Sequence, residues 1–475
     1  MTSPDQTYDV IVLGAGSTGE NVADVAVRGG LSAVLVEPSL VGGECSYWAC
    51  MPSKALLRGS EAIAAARAVR GAAAAVTGEQ DVAATLARRT AFTSDWDDTG
   101  QVEWVDSTGI GLVRGRGRLA GPRRVVVDQD DGSEITLAAR HAVAVCTGSR
   151  AAVPPVDGLA DVRPWTSREA TSAPAAPGRL IVIGGGYVGC EMATAWQQLG
   201  SSVTLLQRGG QLLPGLEPAA GEAVLASLQG LGVDVRLHTE VRSARREGAE
   251  VVVGTGEGEV CGDEVLVATG RAADTGDLGL DTVGLEPGGY LDVDESLRVP
   301  GVADGWLYAV GDVNGRRQLT HMGKYQARQA GAAIVARARG EEVDLADWSP
   351  FVATADRRAT PSVVFTDPQV GSVGLTAAQA AEAGLPHRVV QYDLGNIAGA
   401  SLVADDYAGT AIAVVDPERE VLLGVTFIGP GVAELLHSAT IAVVGEVPIS
   451  RLWHAVPSYP TISEVWLRLL EAYRD

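Results

Sequence analysis

The sequence predicts an α/β chain with two copies of one strand–turn–helix–strand unit and a separate α+β unit after them. Three observations carry that prediction. An apolar, β-branched run enters a glycine-rich turn twice at one fixed offset, with Gly14 falling on Gly184. A second apolar run follows each turn at the same distance, Ala33–Glu37 in the first copy and Val203–Gln207 in the second. From about Asp356 the pattern changes to alternating strands and later helices.

The first copy reads Val10-Ile11-Val12-Leu13 into Gly14-Ala15-Gly16-Ser17-Thr18-Gly19. The second reads Leu180-Ile181-Val182-Ile183 into Gly184-Gly185-Gly186-Tyr187-Val188-Gly189. In each, the first glycine permits a tight strand-to-helix turn and the second lets the backbone approach a pyrophosphate. The third lets helix pack on strand, so the helix amino terminus meets the negative charge. One such turn is a weak signal; two in register, each with its flanking strands, predict two Rossmann-like dinucleotide-binding domains. Glu37 closes the first copy, where a carboxylate can accept both ribose hydroxyls of an adenine nucleotide. The matching position is Gln207, followed by Arg208. Loss of the carboxylate and gain of a guanidinium suit a 2′-phosphate, which predicts NADPH over NADH, with NADH still usable. Taken alone, Arg208 is equally compatible with a solvated loop.

The stretch Ser172-Ala173-Pro174-Ala175-Ala176-Pro177-Gly178 reads as a domain boundary. Apolar strands ending in Cys146-Thr147-Gly148-Ser149 and Ala268-Thr269-Gly270-Arg271 mark where the chain leaves each copy. A further strand, Trp306 to Val310, ends in Gly311-Asp312 and presents a carboxylate at its carboxyl end. The expected division is 1–155 and 276–350 for the first dinucleotide domain, 156–275 for the second, and 351–475 for the last unit.

Composition narrows the partners. With 475 residues the chain holds roughly three domains of about 150 residues each. The 59 acidic against 37 basic residues leave no basic face for a nucleic acid. The polar start, Met1 to Tyr8, lacks the basic and apolar segments of a secretory signal. The apolar stretches near Ile63 and Thr440 are broken by Arg, Gly or Glu, so no membrane span is expected and cytoplasm is the expected address. The cysteines are Cys45, Cys50, Cys146, Cys190 and Cys261, an odd set unlike a secreted framework and without the spacing of a zinc site.

Only Cys45 and Cys50 lie close in sequence. Pro52 followed by Ser53-Lys54-Ala55-Leu56 predicts a helix start, placing Cys50 near a helix amino terminus, where the dipole lowers a thiol's pKa. Positions five apart lie about 140° apart on an ideal helix. Pairing these cysteines therefore needs an irregular entry, which Gly42 and Gly43 can supply. Spacing alone leaves open whether they are a redox pair or two free core thiols.

At Gly42-Gly43-Glu44-Cys45-Ser46-Tyr47-Trp48-Ala49-Cys50-Met51-Pro52-Ser53-Lys54 the chain resembles the pyridine nucleotide–disulfide oxidoreductases, which include glutathione reductase, dihydrolipoamide dehydrogenase and mercuric reductase. The resemblance extends through both glycine motifs, Tyr308–Asp312, Val364-Phe365-Thr366-Asp367-Pro368 and Tyr459-Pro460-Thr461-Ile462-Ser463-Glu464. It implies an FAD enzyme with a carboxyl-terminal dimerisation domain, active as a homodimer in which one subunit's tail completes the other's active site. Gly14, Gly16, Gly19, Glu37, Gly43, Lys54, Gly117, Thr147, Gly148 and Asp312 would then contact FAD. Gly184, Gly186, Tyr187, Gly189, Gln207, Arg208 and Gly270 would contact NADPH, with Tyr187 covering the nicotinamide pocket. Cys50 matches the flavin-facing cysteine, Cys45 the one that attacks substrate, and Lys54 with Glu191 the ion pair beside the flavin.

The departures bear on the substrate. Disulfide-reducing members carry a histidine before Pro-Thr, oriented by a glutamate five residues on; here Tyr459 replaces it while Glu464 remains. Tyrosine titrates near 10 and histidine near 6.5, so Tyr459 is a poor base, and losing a general acid–base group costs about 10²–10⁴ in rate. The substrate then needs little proton help, another group such as His454 supplies it, or protonation is withheld. The aromatic replacement resembles thioether-cleaving, carboxylating members, although their glutamate position differs. Pro214 stands where glutathione reductases have a second arginine. No carboxyl-terminal cysteine pair is present, unlike mercuric reductase and the large thioredoxin reductases. Tyr47 and Trp48 either shape an apolar substrate entrance or simply pack. The expected activity is NADPH-dependent reduction of a small-molecule disulfide through Cys45–Cys50. The alternatives are direct transfer from flavin to a quinone-like acceptor, or a slow redox-sensing flavoprotein.

Overall fold

The computed structural model describes residues 5–475, so the first four residues of the polar Met1–Tyr8 start lie outside the described residues. The chain folds into two compact units, each assembled from three separate segments. The first takes Met1–Met51, Thr90–Ala151 and Arg271–Asp356.

Its sheet runs in the order Gly111–Arg114, Ala33–Glu37, Gln6–Leu13, Glu134–Val145, Arg124–Asp128, Arg116–Leu119, with Leu307–Ala309 also pairing Glu134–Val145. Gln6–Leu13 lies parallel to both neighbours, with Val10 opposite Ala33 and Ala142. Val10, Ile11 and Val12 are fully buried, as expected of an uninterrupted apolar run in a parallel sheet covered on both faces. One face is covered by the helices Ser17–Arg28 and Thr320–Ala338, whose Val22, Ala23, Ala26, Ala327, Ala330 and Ile334 share one core. Their approach is close: a Cβ on Gly331 would stand 2.7 Å from Val25. Larger side chains there would push the helices apart and lose burial worth about 1.5–3 kcal/mol per large apolar residue.

The second unit takes Pro52–Arg89, Ala152–Gly270 and Arg357–Asp475. It contains a parallel sheet in the order Asp234–Arg236, Ser202–Leu206, Arg179–Ile183, Glu264–Val267, and an antiparallel meander Val241–Glu247, Glu250–Thr255, Gly258–Gly262. It also holds an antiparallel sheet in the order Pro361–Val364, Gln369–Gly374, Val421–Gly429, Thr410–Asp416, Arg388–Asp393. The helices Val432–Val444 and Val465–Arg474 pack on it through Leu436, Ala439, Val465 and Leu469. The mixed α/β class with two Rossmann-type sheets and an α+β part therefore holds.

One local expectation changes, at the cysteine helix. The Pro-rich stretch before Arg179 lies as a loop inside the segment Ala152–Gly270. A capping box between Thr166 and Glu169 starts the helix Ser167–Ser172, and Ala170 and Ala173 join the core that holds Leu180 and Val182, so packing continues across the loop. The irregular entry to the cysteine helix is not at Gly42 and Gly43. Those residues start a short helix, Gly43–Tyr47, and the break falls at Trp48–Ala49, between the cysteines.

Candidate active site

In the first unit, Gly14 takes a φ of +99°, and a Cβ there would lie 2.5 Å from the Cys146 carbonyl oxygen. A Cβ on Gly19 would lie 1.9 Å from the Gly14 oxygen, so the turn closes only around glycines. Gly16 caps the helix Ser17–Arg28 without any side-chain hydrogen bond, leaving first-turn N–H groups to an anion. Gly43 closes the other wall, since its Cβ would meet the Gly16 Cα at 2.7 Å. Glu37 is buried at the end of its strand; its Oε2 accepts from the Ala15 N–H at 2.7 Å and its Oε1 from Ser39 at 2.8 Å. A carboxylate with lone pairs remaining can still accept ribose hydroxyls. This glycine cradle, uncapped helix and strand-end carboxylate fit the adenosine diphosphate end of FAD.

At the other carboxyl ends of the sheet, Ser149 Oγ donates to Asp312 Oδ2 at 2.5 Å, and Arg271 Nε lies 3.8 Å from the same oxygen. Burial holds the Asp312 carboxyl above the usual carboxylate range, against the Ser149 hydrogen bond and the Arg271 charge. Arg271 also ties Glu44, one residue before Cys45, at 2.6 Å. Thr147 donates to the Asp274 carbonyl at 2.8 Å and Gly148 turns with a φ of +74°. Gly117 has a packing reason to be small: its Cβ would meet Leu13 and Val36 at 2.8 Å.

Cys45 lies in the short helix and Cys50 opens the helix Cys50–Arg67. Both are half-buried, and no disulfide joins them in the structure. Cys50 Sγ lies 3.2 Å from Thr320 Oγ1. The Cys45 thiol is pushed far above the usual thiol range, first by its hydrogen bond to Cys50, then by burial and the nearby Cys50 charge; Thr320 and Lys324 oppose this. Burial and the contact with Cys50 thus favour the protonated form of Cys45, and Cys50 stands at a helix start. Tyr47 is buried, with its carbonyl accepting from Trp96 Nε1 at 3.1 Å and its ring 5.6 Å from that of Trp48, so it packs rather than lining an entrance.

The second unit repeats the cradle. Gly184 has a φ of +112° with a Cβ position 2.4 Å from the Ala268 oxygen, Gly189 closes on Gly184 at 1.9 Å, and Gly186 caps its helix without a side chain. Gln207 Oε1 accepts from the Gly185 N–H at 3.0 Å, while its Nε2 donates to the Gln211 carbonyl at 3.0 Å. Arg208 is exposed and forms no ion pair among the described residues. Gly270, with a φ of +134°, has open space where a Cβ would stand. Tyr187, at the start of the helix Tyr187–Gln198, shares a 3.1 Å hydrogen bond with Ser362. One turn on, buried Glu191 binds Lys54 at 2.6 Å through Oε2 and accepts the Phe365 N–H at 2.9 Å through Oε1, with the Lys54 ammonium 4.9 Å from the Phe365 ring. No sequence signal marks Ser362, and Phe365 is marked only as part of a family motif, because their contacts here arise from strand geometry rather than residue type.

Tyr459 and Glu464 differ in burial. Tyr459 is 76% exposed, whereas Glu464 is buried with Oε2 lacking a partner, so Glu464 does not orient the tyrosine within the chain. His454 is exposed in the segment before them.

The model of the pyridine nucleotide-disulphide oxidoreductases matches residues 8–331, and the model of their dimerisation domain matches residues 360–469. The chain is 31% identical to the dihydrolipoyl dehydrogenase of Haloferax volcanii, over 98% of the chain and 95% of that protein. It is 32% identical to a mercuric reductase of Acidithiobacillus ferrooxidans, over 98% and 82%. The HOCl-induced flavoprotein disulfide reductase RclA from Escherichia coli shares the fold, with a TM-score of 0.82 at 23% identity over 98% of the chain and 99% of that structure. LpdA from Mycobacterium tuberculosis does so with a TM-score of 0.82 at 24% identity over 97% and 98%. Both halves of the sequence thus match, and the chain belongs to the pyridine nucleotide–disulphide oxidoreductase family, enzymes that use FAD and a pyridine nucleotide.

Proposed function

We propose that the enzyme reduces a small-molecule disulfide with NADPH as donor and Cys45–Cys50 as the redox pair. The contact between Cys45 and Cys50 carries this reading: two neighbouring thiols, the second opening a helix that continues to Lys54. FAD, when bound, accepts two electrons from the nucleotide and hands them to a disulfide. With two protons, those electrons convert Cys45–Cys50 to the dithiol. Cys45 attacks the substrate disulfide and gives up its proton to the leaving sulfur, forming a mixed disulfide and releasing one thiol. Cys50 then attacks Cys45, releasing the second thiol and restoring the pair. Glu191 fixes Lys54, and the family resemblance matches this pair to the flavin's ion pair. Asp312, Glu37, Gly117 and the first glycine motif hold FAD; Gly184, Gly186, Gly189, Gly270 and Tyr187 hold the nucleotide, and Arg208 receives its 2′-phosphate.

The reading includes a cytoplasmic homodimer divided as 1–155 with 276–350 for FAD, 156–275 for NADPH and 351–475 for dimerisation. No helix among the described residues is long and apolar enough to cross a membrane. Anaerobic titration with NADPH tests the relay. A broad long-wavelength band at the two-electron stage supports a thiolate beside the flavin, and simple bleaching overturns it. The exposed Tyr459, not held by Glu464, favours one second reading, direct transfer to a quinone-like acceptor that needs no thiol proton chemistry.

A further inference from the structure

The loop after the strand Ser202–Leu206 is held against the end of its parallel neighbour Asp234–Arg236. Gln207 N–H donates to the Arg236 carbonyl at 2.9 Å, Thr239 N–H to the Gln207 carbonyl at 2.9 Å, and His238 N–H to the Gly209 carbonyl at 3.0 Å. His238 itself sits at a φ of +54° and is exposed. Its imidazole occupies the side-chain position that Gly210 leaves vacant, because a Cβ on Gly210 would lie 2.5 Å from Cε1 and 2.8 Å from Nε2. Backbone bonds and this glycine seat therefore hold the ring on the loop that carries Arg208.

The other basic group on the neighbouring strand is committed elsewhere. Arg236 binds Asp234 through Nε at 2.9 Å and a terminal nitrogen at 2.7 Å. Pro214, further along, offers no donor. Arg208 alone gives a phosphomonoester one guanidinium, whereas such a dianion accepts several charge-assisted hydrogen bonds.

We infer that His238 is a specificity-determining residue, supplying with Arg208 the donors that recognise a nucleotide 2′-phosphate. The inference rests on the NADPH reading and adds a residue far from the glycine motif in sequence. A left-handed φ is tolerated by Asn and Asp. His238→Asn therefore shortens the donor without straining the backbone, and His238→Asp reverses its effect on a phosphate.

The experiment measures binding of 2′,5′-ADP and 5′-ADP to the FAD-loaded enzyme by calorimetry, for the unaltered protein, both His238 variants and Arg208→Ala. Hydrogen bonds to charged groups are among the stronger ones. His238→Asn should weaken 2′,5′-ADP about fivefold to tenfold and His238→Asp more, with 5′-ADP unchanged. Weakening of both ligands alike, or of neither, overturns the inference. If Arg208→Ala alone weakens 2′,5′-ADP, this inference falls while the NADPH reading stands. If the unaltered enzyme binds 2′,5′-ADP no more tightly than 5′-ADP, the NADPH reading falls and this inference with it.

Discussion

The two nucleotide cradles share one backbone but differ in side chains at the positions facing their ligands. Gly14 and Gly184 turn alike, at φ of +99° and +112°, and Gly19 and Gly189 close on them at the same 1.9 Å. Glu37 and Gln207 both receive the N–H of the residue after the first glycine, Ala15 and Gly185. That position thus has a structural duty in both copies. What differs is the remaining valence: the carboxylate can accept ribose hydroxyls, whereas the amide spends its donor on Gln211. Inside the first helical turn, Glu20 corresponds to Cys190. Burial pushes both up, Glu20 to about 7 and Cys190 to about 12, but Cys190 donates to the Gly185 carbonyl at 3.4 Å while Glu20 Oε1 has no partner. The repeat therefore conserves backbone geometry and leaves the polar positions free to diverge.

The largest expected effect separates the cysteines from the cradles. Cys45→Ser should lower disulfide turnover by at least about a thousandfold while FAD stays bound, measured by steady-state assay. Retained activity would establish direct transfer from the flavin. Next, Gly14→Ala and Gly184→Ala introduce the same clash in different copies. The first should yield protein purified largely without flavin. The second should retain full flavin but raise the nucleotide KM about tenfold or more; equal flavin loss in both would break the assignment of one copy to each cofactor. Gln207→Glu keeps the acceptor for Gly185 and places a charge against a 2′-phosphate. The ratio of kcat/KM for NADPH to that for NADH should fall about tenfold, and an unchanged ratio would mean that this position does not select the nucleotide.

The smallest effect concerns stability. Glu20 has a folded pKa raised to about 7 from an ordinary 4.5. The folded state then binds more protons than the unfolded one between those values, so this group's contribution falls as pH rises from 4.5 to 7 and stays low above. Glu20→Gln should raise the unfolding midpoint at pH 8 relative to the unaltered protein and lose that advantage near pH 4.5, as read by thermal scans. A variant difference independent of pH would show that Glu20 does not ionise across this window.

Much of this protein was legible in its residues because the relevant constraints are local. A positive-φ glycine, a β-branched run and a proline in a first helical turn act through the backbone within a few positions, so both cradles and the start of the cysteine helix could be read directly. The tertiary structure decided everything that depended on distant pairing. It closed Cys50 on Thr320, tied Arg271 to Glu44 and Asp312, fixed Glu191 from Phe365, and laid His238 on Gly210. It also left Tyr459 exposed and buried Glu464, a contrast that residue type alone does not set. The physical reason is that hydrogen bonds, burial and like-charge contact act through space, and spacing along a chain fixes distance only within a single regular element.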